Sequence, residues 1–204
     1  VSAAFIAIAY LLFWWSNSLA ENSKHQAEQK LHIELAAHLA HDNPLLQDGV
    51  YDKVALENLF HTLMLLGPSF EFYFVDPAGK ILTYSADKQK IKRKSIDLSP
   101  LVELIANKDV LPIYGDDPRN LHRKKIFSAA PIYSESKSSG KRENLQGYLY
   151  VIIGGEVYDS VFSRVKEDQQ LQQSGVLLTI SLIILLLLLL VIFRFFTSPL
   201  RQLA

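Results

Sequence analysis

The sequence predicts an α+β chain: one antiparallel-sheet domain led by a long N-terminal stalk helix and flanked by two transmembrane helices. Three observations predict it. Residues 175–196 are apolar throughout, with Arg194 as the only charge. Residues 1–19 form an uncharged apolar opening. Between them, helical periodicity gives way to runs rich in aromatic and β-branched residues.

The segment 175–196, GVLLTISLIILLLLLLVIFRFF, would be a helix about 33 Å long, enough to cross a hydrocarbon core of about 30 Å. The opening segment, VSAAFIAIAYLLFWWSNSL, closes on Trp14-Trp15 and then Ser-Asn-Ser, as expected where a helix leaves a bilayer through an aromatic interface. A cleaved signal peptide is the alternative there, although Ser18-Leu19-Ala20 is a middling cleavage site. Two spans leave residues 20–174 on one side as the soluble domain. Arg194 and Arg201 flank the exit of the second span, and positive charge favours the cytoplasmic side, so residues 20–174 are expected in the periplasm. A start at Val1, already inside an apolar run, reads as a fragment.

Bulk charge excludes some function classes. Lys+Arg and Asp+Glu number 21 each, so no net charge points to nucleic acid. The chain has no cysteine, which excludes disulfides and thiolate metal sites and is compatible with an oxidising compartment. No G-x-S-x-G, H-E-x-x-H, Walker A or Rossmann fingerprint is present, so no catalytic residue is assigned to this segment and no cofactor is expected.

Within the domain, Leu31, Leu35 and Leu39 recur every four residues and predict one amphipathic helix over 21–41, interrupted at Asn43-Pro44. A second helix over 52–66 ends at Gly67-Pro68. The aromatic run 69–75, the turn Asp76-Pro77-Ala78-Gly79 and the run 80–84 predict a hairpin. Ser99-Pro100 opens a short helix with serine as cap and proline at the first position. Strands over 124–133 and 146–153 then enclose a polar loop as a second hairpin, and a helix over 156–173 leads to the second apolar segment. The helices are expected on one side of the sheet.

Three stretches carry a resemblance. FYFVDPAGKILTYS resembles the central hairpin of extracellular PAS-like sensor domains of the Cache group. FSAAPIY, followed after a polar loop by GYLYVIIGGEVYDSVF, resembles the last strands and exit helix of such domains in bacterial sensor histidine kinases. TSPLRQLA, at 197–204, is similar to the first turn of a HAMP linker, and Ser198, Pro199, Leu200 and Leu203 independently suit a capped helix opening a parallel seam. The resemblance implies a homodimeric receptor of a two-component system, set in a bacterial inner membrane. A periplasmic ligand would be detected outside, and a kinase region beyond Ala204 would act on a cytoplasmic response regulator. A chemoreceptor or a diguanylate cyclase is the alternative output, and a membrane-anchored periplasmic binding or enzyme domain is a further alternative.

In such domains, by resemblance, the pocket lies between the sheet and the loops crossing it. Arg119, His122 and Arg123, in YGDDPRNLHRKK, are then candidate donors to a carboxylate or phosphate, with Tyr73, Tyr133 and Tyr148 as candidate wall residues. A solvated basic edge paired with Asp116 and Asp117 is the plainer reading of that stretch. His38 and His41, three apart with Glu34 a turn earlier and Asp42 adjoining, are candidate metal ligands. Solvated or dimer-facing histidines are the plainer reading of these.

Overall fold

The computed structural model describes residues 2–47, 49–50, 52–135, 142–156 and 158–160. Helix α1 runs from Ser2 to His32 and is followed by α2 (Leu35–Asp42), the single turn α3 (Pro44–Gln47) and α4 (Lys53–Leu66). Strands β1 (Phe70–Val75) and β2 (Ile81–Tyr84), helix α5 (Ser99–Ala106), and strands β3 (Tyr114–Asp116), β4 (Lys124–Glu135) and β5 (Arg142–Ile153) complete the order. These elements belong to a unit that ends at Tyr158.

The expectation of two flanking transmembrane helices is corrected by this structure: among the described residues, no helix is long and apolar enough to cross a membrane. The physical reason lies in the composition of α1. Its apolar run closes at Trp14-Trp15, residues suited to an interface more than to hydrocarbon, and the helix then continues through Ser16-Asn17-Ser18 and Glu21 to Lys24. The apolar segment 175–196, the stretch 197–204 and most of the helix expected over 156–173 lie outside the described residues.

All five strands are antiparallel to their neighbours, in the order β2-β1-β5-β4-β3. Successive side chains of a strand point to opposite faces, and this alternation sorts the core into two. Phe72, Phe74, Ala130, Ile132, Leu149 and Val151 pack on one face with Ala36, Leu46, Leu56 and Phe60 from α2, α3 and α4. Tyr73, Val75, Phe127, Ala129, Tyr150 and Ile152 pack on the other with Leu101 and Leu104 of α5 and with Ile96 and Ile113. Helices therefore cover both faces, not one. Burial on both sides explains why β1, apart from Glu71, is apolar or aromatic on both faces instead of alternating.

Local chemistry sets the boundaries. Asp52 caps α4, accepting from the amides of Val54 at 2.9 Å and Ala55 at 3.0 Å. Asp76 Oδ1 accepts from Ala78 and Lys80 in the first hairpin turn, at 2.9 and 2.8 Å. Gly79 takes φ +84° there, and a Cβ on it would stand 2.4 Å from the Ile96 carbonyl oxygen. At α5 the expected serine cap is not formed: Leu98 is the N-cap, without a side-chain bond, Ser99 is the first helical residue, and Asp97 before them accepts from the Ser99 amide at 2.9 Å and from its hydroxyl at 2.8 Å. These bonds, the amide first, hold the Asp97 carboxyl below the usual carboxylate range.

The largest departure from the sequence expectation is the break in the first helix. Instead of one helix over 21–41, α1 ends at His32 and α2 starts at Leu35. Ser128, fully buried in the middle of β4, donates its hydroxyl to the Ile33 carbonyl at 2.7 Å and accepts the Ala36 amide at 3.1 Å. A side chain inserted into the helical ladder changes the phase of the two halves. Ala36 is consequently buried, while Leu31, expected on the same apolar face, is 77% exposed. Ser128→Ala leaves both backbone groups without their partner and is expected to cost about 2 kcal/mol in urea unfolding. A loss within experimental error would show that the break needs no hydroxyl.

Candidate functional site

The site grows from β1. Glu71 and Tyr73 are two apart on one strand, so both point to the α5 face, and Glu71 is only 3% exposed amid the aromatics. A buried carboxylate is costly unless it is hydrogen-bonded and paired. Glu71 meets that demand three ways. Its Oε2 accepts the Tyr73 hydroxyl at 2.8 Å and lies 3.0 Å from Arg119 Nε, and its Oε1 accepts the Glu156 amide at 2.9 Å. Burial, and after it the Glu71 charge, push the Tyr73 hydroxyl far above its ordinary range, so it stays a neutral donor.

Arg119 reaches this carboxylate because of the turn that carries it. Asp117, 1% exposed, accepts the Arg119 amide at 3.0 Å, and its other oxygen takes Arg123 Nε at 3.1 Å. Arg93 ties the same turn from outside, bonding the carbonyls of Asn120 and Leu121 and pairing with Asp116 at 3.2 Å. The Asp116 carbonyl accepts the buried Tyr150 hydroxyl at 2.8 Å. Burial first, then the charges of Asp116 and Asp117, raise the Tyr150 hydroxyl well above its usual range. With its ends so held, the Arg119 side chain lies over the sheet at 12% exposure.

Beyond β5 the chain joins the same group. Glu156 is half-exposed, its carboxylate 3.6 Å from Arg119 Nη1 and bonded through both oxygens to Lys90 Nζ at 2.8 Å. Those bonds hold the Lys90 ammonium above its ordinary range. Tyr158, two residues on, donates to Glu28 of α1 at 2.6 Å, and Lys24 of α1 stands 5.6 Å from the Tyr158 ring centre. One charged group thus links β1, the Arg119 turn and the chain leaving the sheet, with α1 close by.

The six candidate residues separate. Tyr73 and Arg119 meet at Glu71, and Arg123 supports them through Asp117. Tyr148 packs at the rim of the core on the same face. His122 is exposed on the turn, its amide bonded to Asn120 at 2.9 Å. Tyr133 lies elsewhere, beyond an irregularity in β4, and lines a cleft of about 210 Å³ with His41, Gln47 and Pro131 between α2, α3 and β4.

His38 and His41 are exposed, and His41 Nδ1 lies 2.9 Å from Asp42. Glu34 turns away to Lys108 at 2.6 Å. No group of three metal-binding side chains occurs among the described residues. Glu34 is the N-cap of the helix of the two histidines, its carbonyl accepting the His38 amide at 2.9 Å, while its carboxylate is taken by Lys108.

Sequence reasoning missed Glu71, Lys90 and Glu156 as members of the group, whereas Asp117 was expected as a partner of the basic stretch and does pair with Arg123. Glu71 did carry a signal: a carboxylate inside Phe70-Glu71-Phe72-Tyr73 has to be satisfied within the fold. Lys90 lay in a charge run that reads as a solvated loop, and nothing local ties it to Glu156.

Compared with protein-family models, with curated proteins and with solved structures, the chain finds no match.

Proposed function

We propose that this domain is the signal-detecting module of a bacterial two-component receptor, and that Arg119 is the centre of its ligand site. One observation carries the reading. A nearly buried guanidinium sits where the sheet, the Asp116–Arg123 turn and the chain leaving β5 come together, between the carboxylates of Glu71 and Glu156. A ligand that changes how Arg119 is shared changes how the departing chain is held, and only such a difference between states transmits a signal. The antiparallel sheet with the arginine-bearing turn across it also agrees with the sequence resemblance to PAS-like sensor domains. A homodimer, a cytoplasmic response regulator and a place on the periplasmic side of a bacterial inner membrane belong to the same reading. Their support is the resemblance, with which the absence of cysteine is compatible.

The test is a thermal-shift screen of the 204-residue chain against carboxylates, amino acids and metal ions. One ligand class is expected to raise Tm by about 5 °C at about a hundred times its dissociation constant. Arg119→Lys should abolish that shift, because an ammonium does not reproduce the guanidinium fork. A shift that survives Arg119→Lys, or a screen without any shift, overturns the assignment.

A further inference from the structure

The carboxylates of Glu71 and Glu156 hold Arg119 unequally. Glu71 is buried and has three partners, among them a backbone amide. Glu156 is half-exposed, and its side chain is held by the exposed Lys90 and by the far end of the guanidinium at 3.6 Å. Removing Glu71 would strand a buried cation, whereas an exposed ion pair of the second kind contributes little to stability and opens readily.

We infer that the Glu156 side chain is a built-in stand-in for the ligand: a small carboxylate takes its place between Lys90 and Arg119, and Glu156 swings out. This rests on Arg119 being the ligand site, and it adds the ligand class and the way occupancy is read. The exchange replaces one carboxylate by another, so Lys90 and Arg119 keep a counter-charge throughout. Glu71 keeps its bond to the Glu156 amide, which fixes the backbone while the side chain leaves. What changes is the tie from Lys90 to Glu156, two residues ahead of Tyr158, whose hydroxyl bonds Glu28 on α1. The chain leaving the sheet and α1 therefore both feel the exchange.

Propionate, which matches the end of a glutamate side chain, is the probe, with propionamide as its neutral counterpart. Backbone amide shifts are followed in the wild-type chain and in Glu156→Gln, Lys90→Met and Arg119→Lys. Glu156→Gln removes the internal competitor and is expected to bind propionate about tenfold more tightly than wild type, with propionamide inert. Lys90→Met, a surface change, should weaken propionate binding. Equal affinity of wild type and Glu156→Gln overturns the inference, as does binding of propionamide or no propionate binding by Glu156→Gln. If affinities are equal but Arg119→Lys binds nothing, Arg119 remains the site and only the role of Glu156 fails. Propionate binding unaffected by Arg119→Lys removes both.

Discussion

Gln29→Leu is expected to destabilise the chain by about 3–5 kcal/mol and to release α1 from the sheet. Gln29 is fully buried. Its amide nitrogen donates to the carbonyls of Ile113 at 3.0 Å and Phe127 at 2.9 Å, and its Oε1 accepts the Ile113 amide at 2.8 Å. The side chain thus occupies the place of a strand partner for Ile113, just ahead of β3. Leucine fills a similar volume but satisfies none of the three groups, each of which costs about 1–3 kcal/mol when buried and unpaired. Urea unfolding measures the loss, and hydrogen exchange at the Ile113 amide locates it. A loss below about 1 kcal/mol, or unchanged protection of that amide, contradicts the account.

Gly147→Ala should be at least as damaging, costing more than about 3 kcal/mol. Gly147 lies in β5 opposite Ile132, and a Cβ there would stand 2.0 Å from the Val75 carbonyl oxygen and 3.2 Å from Asp76 Cα. Both neighbours are backbone, so no rotamer change relieves the clash, and β1 must part from β5 at that end. Gly67→Ala is the matched control. Its new methyl meets the Phe70 ring at 3.2 Å, a side chain able to yield, and a change within about 1 kcal/mol is expected. Similar melting temperatures for the two variants would show that the sheet opens there at little cost.

Much of the sheet was legible because its signals are local. Asp76 and Gly79 fix the first hairpin turn within four residues, and the runs in β4 and β5 are long enough to define a pair despite the polar loop between them. Strand β3 was not legible: Tyr114-Gly115-Asp116 is three residues with a central glycine, and it exists because Ile126, Lys125 and Lys124 pair with it. The helix break was hidden for a similar reason. Its cause, Ser128, lies 95 residues from Ile33, and no periodicity in 21–41 reports a hydroxyl on another element. In the site, the arginine-rich stretch drew attention through its charge, but which arginine turns inward depends on the buried Asp117 and on Glu71 in a distant strand. The two membrane helices expected at the ends were inferred from apolar runs and, for the first, from the Trp14-Trp15 edge, but α1 continues through polar residues beyond that edge, and the second run lies outside the described residues.

The attachment of α1 has a mechanical consequence. Gln29 and the bonds from Ser128 to Ile33 and Ala36 clamp the C-terminal end of the helix, while Tyr10, Leu11, Trp14 and Trp15 near its other end are all exposed. A rod held at one end is a lever. Tyr114 also holds His25 at 3.0 Å and Asn22 at 3.3 Å, and from Asn22 back to Ser2 the helix extends about 30 Å, so a tilt of about 5° displaces the far end by about 2.6 Å. The clamp lies on β3 and β4, beside Phe127 and the core that holds Tyr73 and Tyr150, and a small adjustment there is enlarged at the tip.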